Sequence, residues 1–259
     1  MNIHSAIIEG AKLLKNKFIS TPYLDSELLM TKVLGRDKKF FLLNHDKNLS
    51  ESDLYKFQNL IVKRSKGKPV AYLINSKSFW NSDFIVSDGI LIPRPDTELI
   101  VDTILKLTKH VNKLNILDIG IGSGCILLSI LKEKKKFIGT GIDISKKCID
   151  ISKINANNLN VSRRLRLIKT NVDKFNLGKY DLIVSNPPYI KKNNIKYLEK
   201  DVAHYEPKQA LDGGLDGLSE IRKIVKKSSE LIKKNGRFIL EIGFDQKNKV
   251  INILKNEGF

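Results

Sequence analysis

The stretch best suited to chemistry is Asn186-Pro187-Pro188-Tyr189 (the hook), which follows the apolar run YDLIVS. Each proline fixes its own φ and lacks an N–H, and the residue before a proline is held extended. The hook is therefore stiff and offers carbonyl oxygens without competing donors. The side-chain oxygen of Asn186 and the carbonyl of Pro187 can together accept both hydrogens of one planar –NH₂ group.

A planar amino group is a poor nucleophile because its nitrogen lone pair is delocalised. Two acceptors that hold both hydrogens orient the nitrogen toward an electrophile and stabilise the positive charge that develops on it. Tyr189 can cover the group by stacking. We therefore interpret Asn186, Pro187 and Tyr189 as catalytic residues, and the whole hook, including Pro188, as substrate-binding. An ordinary Pro-Pro turn is the alternative.

A glycine-rich turn, LDIGIGSGC, lies between a predicted buried strand and a helix. Gly120, Gly122 and Gly124 let the backbone turn tightly and approach a ligand at a helix N-terminus. The spacing differs from the G-x-G-x-x-G of nicotinamide-binding proteins, because the third glycine comes two residues after the second. Asp118 suits a ligand with an ammonium group, such as the methionine part of S-adenosylmethionine.

The next two predicted strands end in residues suited to a nucleoside. Asp143 ends the stretch GTGID, and its carboxylate can accept hydrogen bonds from both ribose hydroxyls. Asp143 can alternatively cap the following helix, although Ser145 is an equally good cap. After the third strand, Asn171 can bond the adenine amine and Val172 can cover the ring.

Strands and helices alternate regularly from residue 113 onward. The apolar stretches that predict strands are KLNILDIG, KFIGTGID, RLRLIKT, YDLIVSN and GRFILEIG. This alternation predicts an α/β fold with a mostly parallel, doubly wound sheet. Ligands in such sheets bind outside the carboxyl ends of the strands, and every motif described above falls at such an end.

The chain upstream of the sheet carries no catalytic constellation. Residues 1–68 show helical periodicity and predict a small helical domain suited to docking a partner. Within residues 69–94, KSFWNSDFIVS predicts a β-hairpin linker with its turn at Asn81-Ser82. The domain that carries the site is then expected over residues 95–259.

Composition narrows the class of protein further. The chain has 259 residues and no apolar run approaching the ~20 residues of a membrane span, so we expect a soluble, cytoplasmic protein without membrane contact. Its four histidines show no metal-ligand spacing, and no metal site is expected. The net charge of +18 is spread along the chain, so nucleic acid is not required as a partner.

The hook together with DIGIGSG resembles class I S-adenosylmethionine-dependent methyltransferases that act on planar amino groups. The stretches LIPRPDTE, HYEPKQALDGGLDGL and GRFILEIGFDQ are similar to the PrmC/HemK family, which methylates the glutamine of the Gly-Gly-Gln motif in class I peptide chain release factors. This resemblance implies a Rossmann-like methyltransferase domain, S-adenosylmethionine as cofactor, a release factor as protein substrate, docking by the helical domain, and a monomer.

The resemblance also implies roles for individual residues. The hook would hold the glutamine amide, and S-adenosylmethionine would be bound by Gly120, Ile121, Gly122, Ser123, Gly124, Asp143, Asn171, Val172 and Asn186. Arg94 and Glu98 belong to the matching stretch PRPDTE. They either line the cofactor pocket or fix the helix start through a local ion pair.

The sequence departs from the family pattern at three places. Ile121 replaces a threonine, and Asn171 with Val172 replaces an acid and an aromatic residue, so we expect weaker contact with adenine. Residues 244–259 suffice for one helix, whereas the family adds two final strands. An exposed strand edge is therefore expected.

Two alternatives to glutamine methylation remain open from the sequence. One is a DNA or RNA exocyclic-amine methyltransferase, which the basic charge favours. The other is a protein that docks release factors without catalysis, because the C-terminal part of the domain is short. The complete hook argues against this second alternative.

Overall fold

The computed structural model describes residues 1–259, except for the side chains of Lys38 and Leu42. The chain forms two compact units. One contains residues 1–76 together with 199–205, and the other contains residues 77–198 together with 206–259.

The first unit is helical. Its helices are α1 (Ile3–Lys15), α2 (Pro22–Leu34), α3 (Lys38–Leu43), α4 (Glu51–Ser65), α5 (Val70–Ile74) and the later segment Lys200–Tyr205. Side-chain oxygens of Asn2, Asp37 and Ser50 accept N–H groups in the first turns of α1, α3 and α4, as N-caps do. The helices bury one apolar core that includes Leu29 and Phe57.

A buried ion pair lies inside the helical unit. Arg64 Nε donates to Asp25 Oδ2 at 2.6 Å, and both side chains are almost fully buried. Arg64 Nη2 also lies 3.8 Å from Asp201, and the Tyr205 hydroxyl donates to the Lys66 carbonyl. These contacts attach the segment 199–205 to the helical unit, which a sequence-based domain end at residue 68 does not include.

Replacing Arg64→Met should destabilise the protein strongly, because Asp25 would be left buried and charged without its partner. Breaking a buried pair in this way costs about 3 to 5 kcal/mol. The matched control is Lys106→Met, which removes an exposed pair with Asp102. Such surface pairs contribute about 0 to 1 kcal/mol. Urea unfolding of the full chain measures both, and equal midpoints for the two variants would contradict the prediction.

The second unit begins with a hairpin of β1 (Lys77–Phe79) and β2 (Ser82–Phe84). The turn is at Trp80 and Asn81, so the predicted turn at Asn81-Ser82 was wrong by one residue. Trp80 adopts a positive φ of 46°, its N–H donates to Glu98, and its indole donates to Glu133. These distant acceptors place Trp80 in the turn.

The sheet of this unit is entirely parallel, which confirms the predicted doubly wound α/β fold. Its strands are β3 (Asn115–Ile119), β4 (Ile138–Asp143), β5 (Leu165–Lys169), β6 (Tyr180–Ser185) and β7 (Ile232–Leu240), in the order β5-β4-β3-β6-β7. From β3 the chain adds β4 and β5 on one side, and it then crosses to the other side to add β6 and β7. The switch point, where such sheets bind ligands, therefore lies between β3 and β6.

Helices cover both faces of the sheet. They are α6 (Glu98–Leu107), α7 (Cys125–Glu133), α8 (Lys146–Asn158), α10 (Ser219–Leu231) and α11 (Lys247–Asn256), with α9 being the segment Lys200–Tyr205 of the helical unit. Residues of α6, α7 and α8 pack on one face with Ile116 and Val184, and residues of α10 pack on the other with Leu117 and Ile183.

The last strand differs from its prediction. β7 begins at Ile232 rather than Gly236 and pairs with β6 through an irregularity, in which Tyr180 faces Ile232 and Leu182 faces Arg237. Among the described residues, β7 pairs on one side only. Helix α11 packs against α10 through Val250, and the Phe259 ring lies 5.4 Å from the Phe238 ring of β7. Within the described part of the chain, no helix has the length and apolar character needed to cross a membrane.

Candidate active site

The glycine-rich turn follows β3 at the switch point. Gly120, Gly122 and Gly124 adopt φ values of 79°, 57° and 85°, which favour glycine. A Cβ at Gly120 would meet no atom within 4 Å, so the backbone there faces open space. A Cβ at Gly124 would lie 2.7 Å from Leu128 Cδ1, so this glycine instead allows α7 to pack closely.

Asp143 ends β4 and binds the glycine-rich turn. Its Oδ2 accepts from the Gly122 N–H at 3.0 Å, and its Oδ1 accepts from the Ser145 N–H at 2.8 Å. Ser145 caps α8, because its hydroxyl accepts from the Cys148 N–H. Burial raises the pKa of Asp143, although these N–H donors oppose the increase. Each oxygen keeps a further lone pair for a ligand hydroxyl.

Asp118 lies in β3 just before the turn and is only 1% exposed. Neither of its carboxylate oxygens has a hydrogen-bond partner among the described residues. Burial, and then repulsion from Asp143, raises the pKa of Asp118 to about 7. A buried carboxylate without partners is unfavourable, so this position suits a cationic ligand group.

Most of the predicted site residues line one cavity of about 230 Å³ at the carboxyl ends of the strands. Those that line it are Gly120, Gly122, Asp143, Asn171, Val172, Asn186, Pro187 and Pro188. Pro207 and Gln209 also line it, and they come from the long loop after the hook, for which the sequence offered no cavity role.

The other predicted residues lie outside the cavity lining. Ile121 is buried against Gly141 in the core, which explains why an apolar side chain is tolerated in this turn. Ser123 is buried, and its carbonyl accepts from Asn155. Tyr189 is half-buried and packs beside α10 and α11, and its hydroxyl donates to Glu241.

Asn171 has a local role in addition to its place in the cavity wall. Its Oδ1 accepts from the Asp173 N–H at 2.9 Å and caps a short 3-10 helix, Val172–Lys174. The same oxygen is the acceptor that an adenine amine would need. One lone pair is already used, so contact with adenine would rest on the second.

Gln246, the residue just before α11, holds the hook by hydrogen bonds. The sequence analysis assigned no role to this side chain. It is 3% exposed, and its Nε2 donates to the carbonyls of Tyr189 and Gly217 at 2.9 and 3.1 Å. Its Oε1 accepts from the Gly243 N–H. Gly217 packs so tightly here that a Cβ would lie 2.5 Å from the Tyr189 carbonyl.

The two residues singled out in PRPDTE do not line the cavity. Arg94 pairs with Glu206, a buried carboxylate that also accepts from the Ile92 N–H at 3.1 Å. Glu98 accepts from the N–H of Trp80 in the hairpin turn. Both earlier interpretations of Arg94 and Glu98 were therefore wrong, since each side chain joins segments that are distant in sequence.

Comparison with known proteins agrees with this arrangement. Residues 95–210 match the family model described as the methyltransferase small domain, and residues 5–74 match the PrmC N-terminal domain. The second unit thus has the fold of class I S-adenosylmethionine-dependent methyltransferases, with its cavity at the switch point of the parallel sheet.

Relatives identify the family within this class. A release factor glutamine methyltransferase of Clostridium acetobutylicum is 38% identical across 100% of this chain and 92% of its own length. The corresponding protein of Clostridium botulinum is 36% identical across 100% and 93%. A bifunctional methyltransferase of Rickettsia typhi is 35% identical, and this chain spans 53% of it. The chain belongs to the release factor glutamine methyltransferase family.

Asp118 should make the stability of the free protein depend on pH. Its pKa is about 7 in the folded protein against an ordinary 3.8, so the folded state favours the protonated form. The free energy of unfolding should therefore fall as pH rises from about 4 to about 7, by at most roughly 4 kcal/mol at 1.36 kcal/mol per pKa unit. Asp118→Asn should make this decrease clearly smaller, and the raised pKa values of Asp143 and Glu241 account for the part that remains.

The matched control is Asp181→Asn. Lys233 and the Asn115 N–H lower the pKa of Asp181 against the opposing effect of burial, so its ionisation stabilises the fold and its removal leaves the decrease between pH 4 and 7 in place. Urea unfolding at a series of pH values measures the slopes. An Asp118→Asn variant with the wild-type slope would contradict the assignment.

Proposed function

We propose that this chain methylates the side-chain amide nitrogen of the glutamine in the Gly-Gly-Gln motif of class I peptide chain release factors. The observation that carries the proposal is the hook, whose Asn186 and Pro187 line the cavity beside the glycine-rich turn. Full-length similarity to release factor glutamine methyltransferases supports the choice of an amide in a protein over an amine in nucleic acid.

The residues around the cavity fit S-adenosylmethionine, which supplies an electrophilic methyl group when bound. The open backbone at Gly120 would allow close approach of the ligand. The carboxylate of Asp118, which is buried beside the turn and does not line the cavity, would supply negative charge for the ammonium group. Asp143 would hold the ribose hydroxyls, and Asn171 and Val172 would contact the adenine. Ile121, Ser123 and Gly124 act through the backbone and through the packing of the turn, because their side-chain positions lie outside the cavity lining.

The hook positions the glutamine. Asn186 Oδ1 and the Pro187 carbonyl accept the two amide hydrogens, so that the nitrogen lone pair is turned toward the methyl group. As the nitrogen–carbon bond forms and the sulfur–carbon bond breaks, these oxygens stabilise the positive charge on nitrogen. One amide proton then leaves to solvent, giving N5-methylglutamine and S-adenosylhomocysteine. Pro188 completes the substrate contact, while Tyr189, which lies outside the cavity lining, supports the hook through its packing and its hydrogen bond to Glu241.

The helical unit docks the release factor in this proposal. Its match to the PrmC N-terminal domain supports the assignment. The unit also exposes large apolar side chains, with Phe18 97%, Leu43 83% and Tyr55 68% exposed. We further propose that the protein acts in the cytoplasm as a monomer and needs no nucleic acid.

Methyl transfer from labelled S-adenosylmethionine tests the proposal. A purified class I release factor should be labelled, while its Gly-Gly-Ala variant, total RNA and DNA should not. Asn186→Ala should lower kcat/KM about 100- to 1000-fold, because a preorganised acceptor of transition-state charge is lost. Urea unfolding with the wild-type midpoint shows that the variant is folded. Label on nucleic acid, or full activity in Asn186→Ala, would overturn the proposal.

Gln246→Leu should impair the same reaction without weakening cofactor binding. The substitution leaves the Tyr189 and Gly217 carbonyls and the Gly243 N–H without their buried partner. Each such loss costs about 1 to 3 kcal/mol, so the hook should become mobile and kcat/KM should fall at least ~10-fold. Asn157→Leu, at an exposed position of α8, is the matched control. Unchanged kinetics in Gln246→Leu would show that the hook is rigid without this clamp.

A further inference from the structure

Glu241 is the first residue after β7, and its side chain contacts Tyr189 of the hook. Its N–H donates to the Ser185 carbonyl at 3.0 Å, which continues the pairing of β7 with β6 by one residue. Its Oε1 accepts from the Tyr189 hydroxyl at 3.3 Å. Its Oε2 is buried and makes no hydrogen bond among the described residues. A half-buried carboxylate thus stands beside the reactive segment without lining the cavity.

A buried threonine, Thr97, lies near this carboxylate and contacts Asn186. Thr97 is 2% exposed, and its Oγ1 accepts from Asn186 Nδ2 at 3.1 Å. Burial raises the pKa of Glu241, while hydrogen bonding from Thr97, Tyr189 and Asn186 opposes the increase. All three side chains therefore lie close to the carboxylate, and among the described residues the Tyr189 hydroxyl is the one that makes a hydrogen bond to it.

The donors and acceptors available on these groups determine which group donates in each hydrogen bond. A carboxylate only accepts, and a threonine hydroxyl has a single proton. Since Thr97 Oγ1 already accepts from Asn186, its proton is available to Glu241. The amide nitrogen of Asn186 must then face Thr97 and Glu241. Its Oδ1 is left on the other side, where Asn186 lines the cavity and where Oδ1 has no partner among the described residues.

We propose that Glu241 and Thr97 are positioning residues that set the orientation of the Asn186 amide, so that Oδ1 rather than Nδ2 faces the substrate nitrogen. This proposal rests on the assignment of the hook as the binding site for a glutamine amide. An inverted Asn186 would place an N–H donor against the substrate N–H that Oδ1 would otherwise accept, while the Pro187 carbonyl would still accept the other. No hydrogen bond would form between Asn186 and the substrate, and the charge developing on nitrogen would be opposed by Asn186 instead of stabilised.

Paired substitutions separate this role from a structural one. Glu241→Gln keeps the shape but adds a donor, which lets the network run in the opposite direction. Thr97→Val removes the hydroxyl, and Thr97→Ser retains it. Glu241→Gln and Thr97→Val should each lower kcat/KM for the release factor at least ~10-fold with unchanged S-adenosylmethionine affinity. Thr97→Ser should stay within about threefold of wild type.

The double variant Glu241→Gln/Thr97→Val should be no slower than the slower single variant, because the two residues act through one network. Wild-type kcat/KM in Glu241→Gln and Thr97→Val, alongside an inactive Asn186→Ala, would overturn the positioning role while leaving the proposed function intact.

A readout independent of activity keeps the two proposals distinguishable. In protein labelled with ¹⁵N-asparagine, the side-chain NH₂ signals of Asn186, identified by their loss in Asn186→Ala, should exchange slowly with solvent in wild type and in Thr97→Ser. They should exchange at least ~10-fold faster in Thr97→Val and Glu241→Gln. Equal exchange in all four proteins would overturn the positioning role even if no release factor were methylated. Slow exchange without methyl transfer would overturn the proposed function alone.

Discussion

Parallel pairing of β3 with β6 is the constraint on which the site depends. Asp118 of β3 faces Val184 of β6 in the register, so the glycine-rich turn and the hook both begin two residues beyond that pair. The Ser185 hydroxyl donates to the Ile119 carbonyl at 2.6 Å and joins the two strand ends. A ligand at the turn and a ligand at the hook would therefore lie next to each other without any movement of the sheet. A shift of one residue would turn the polar groups at this edge toward the core.

Buried acidic groups have different effects on stability in the two units. In the helical unit, Asp25 is paired with Arg64, and this arrangement serves the fold. At the sheet edge, Asp118 and one oxygen of Glu241 are buried without hydrogen bonds among the described residues. Such groups oppose folding, and proteins keep them where a ligand or a reactive side chain needs them. These unpaired carboxylates therefore lower the stability of the free protein.

Much of the fold could be predicted from local pattern, because buried parallel strands and their helices have distinctive periodicity. The alternation of strands and helices, the parallel sheet and the place of the glycine-rich turn followed from that pattern, whereas the order of the strands came from the structure. The turn of the hairpin and the start of β7 did not. Trp80 enters the turn because Glu98 and Glu133 accept its two N–H groups. β7 includes residues 232–235 because its pairing with β6 is irregular at this point. The strand propensities of the individual residues do not predict such an irregularity.

By itself, the sequence determined the stiffness of the hook, since proline fixes its own backbone and that of the residue before it. It also determined which residues stand at the strand ends. Only the tertiary structure decided how the hook is held. Thr97, Glu241 and Gln246 lie far from the hook along the chain and reach it through the packing of separate elements. Hydrogen bonds between distant segments depend on where the sheet places them, and spacing in the sequence carries no record of that placement.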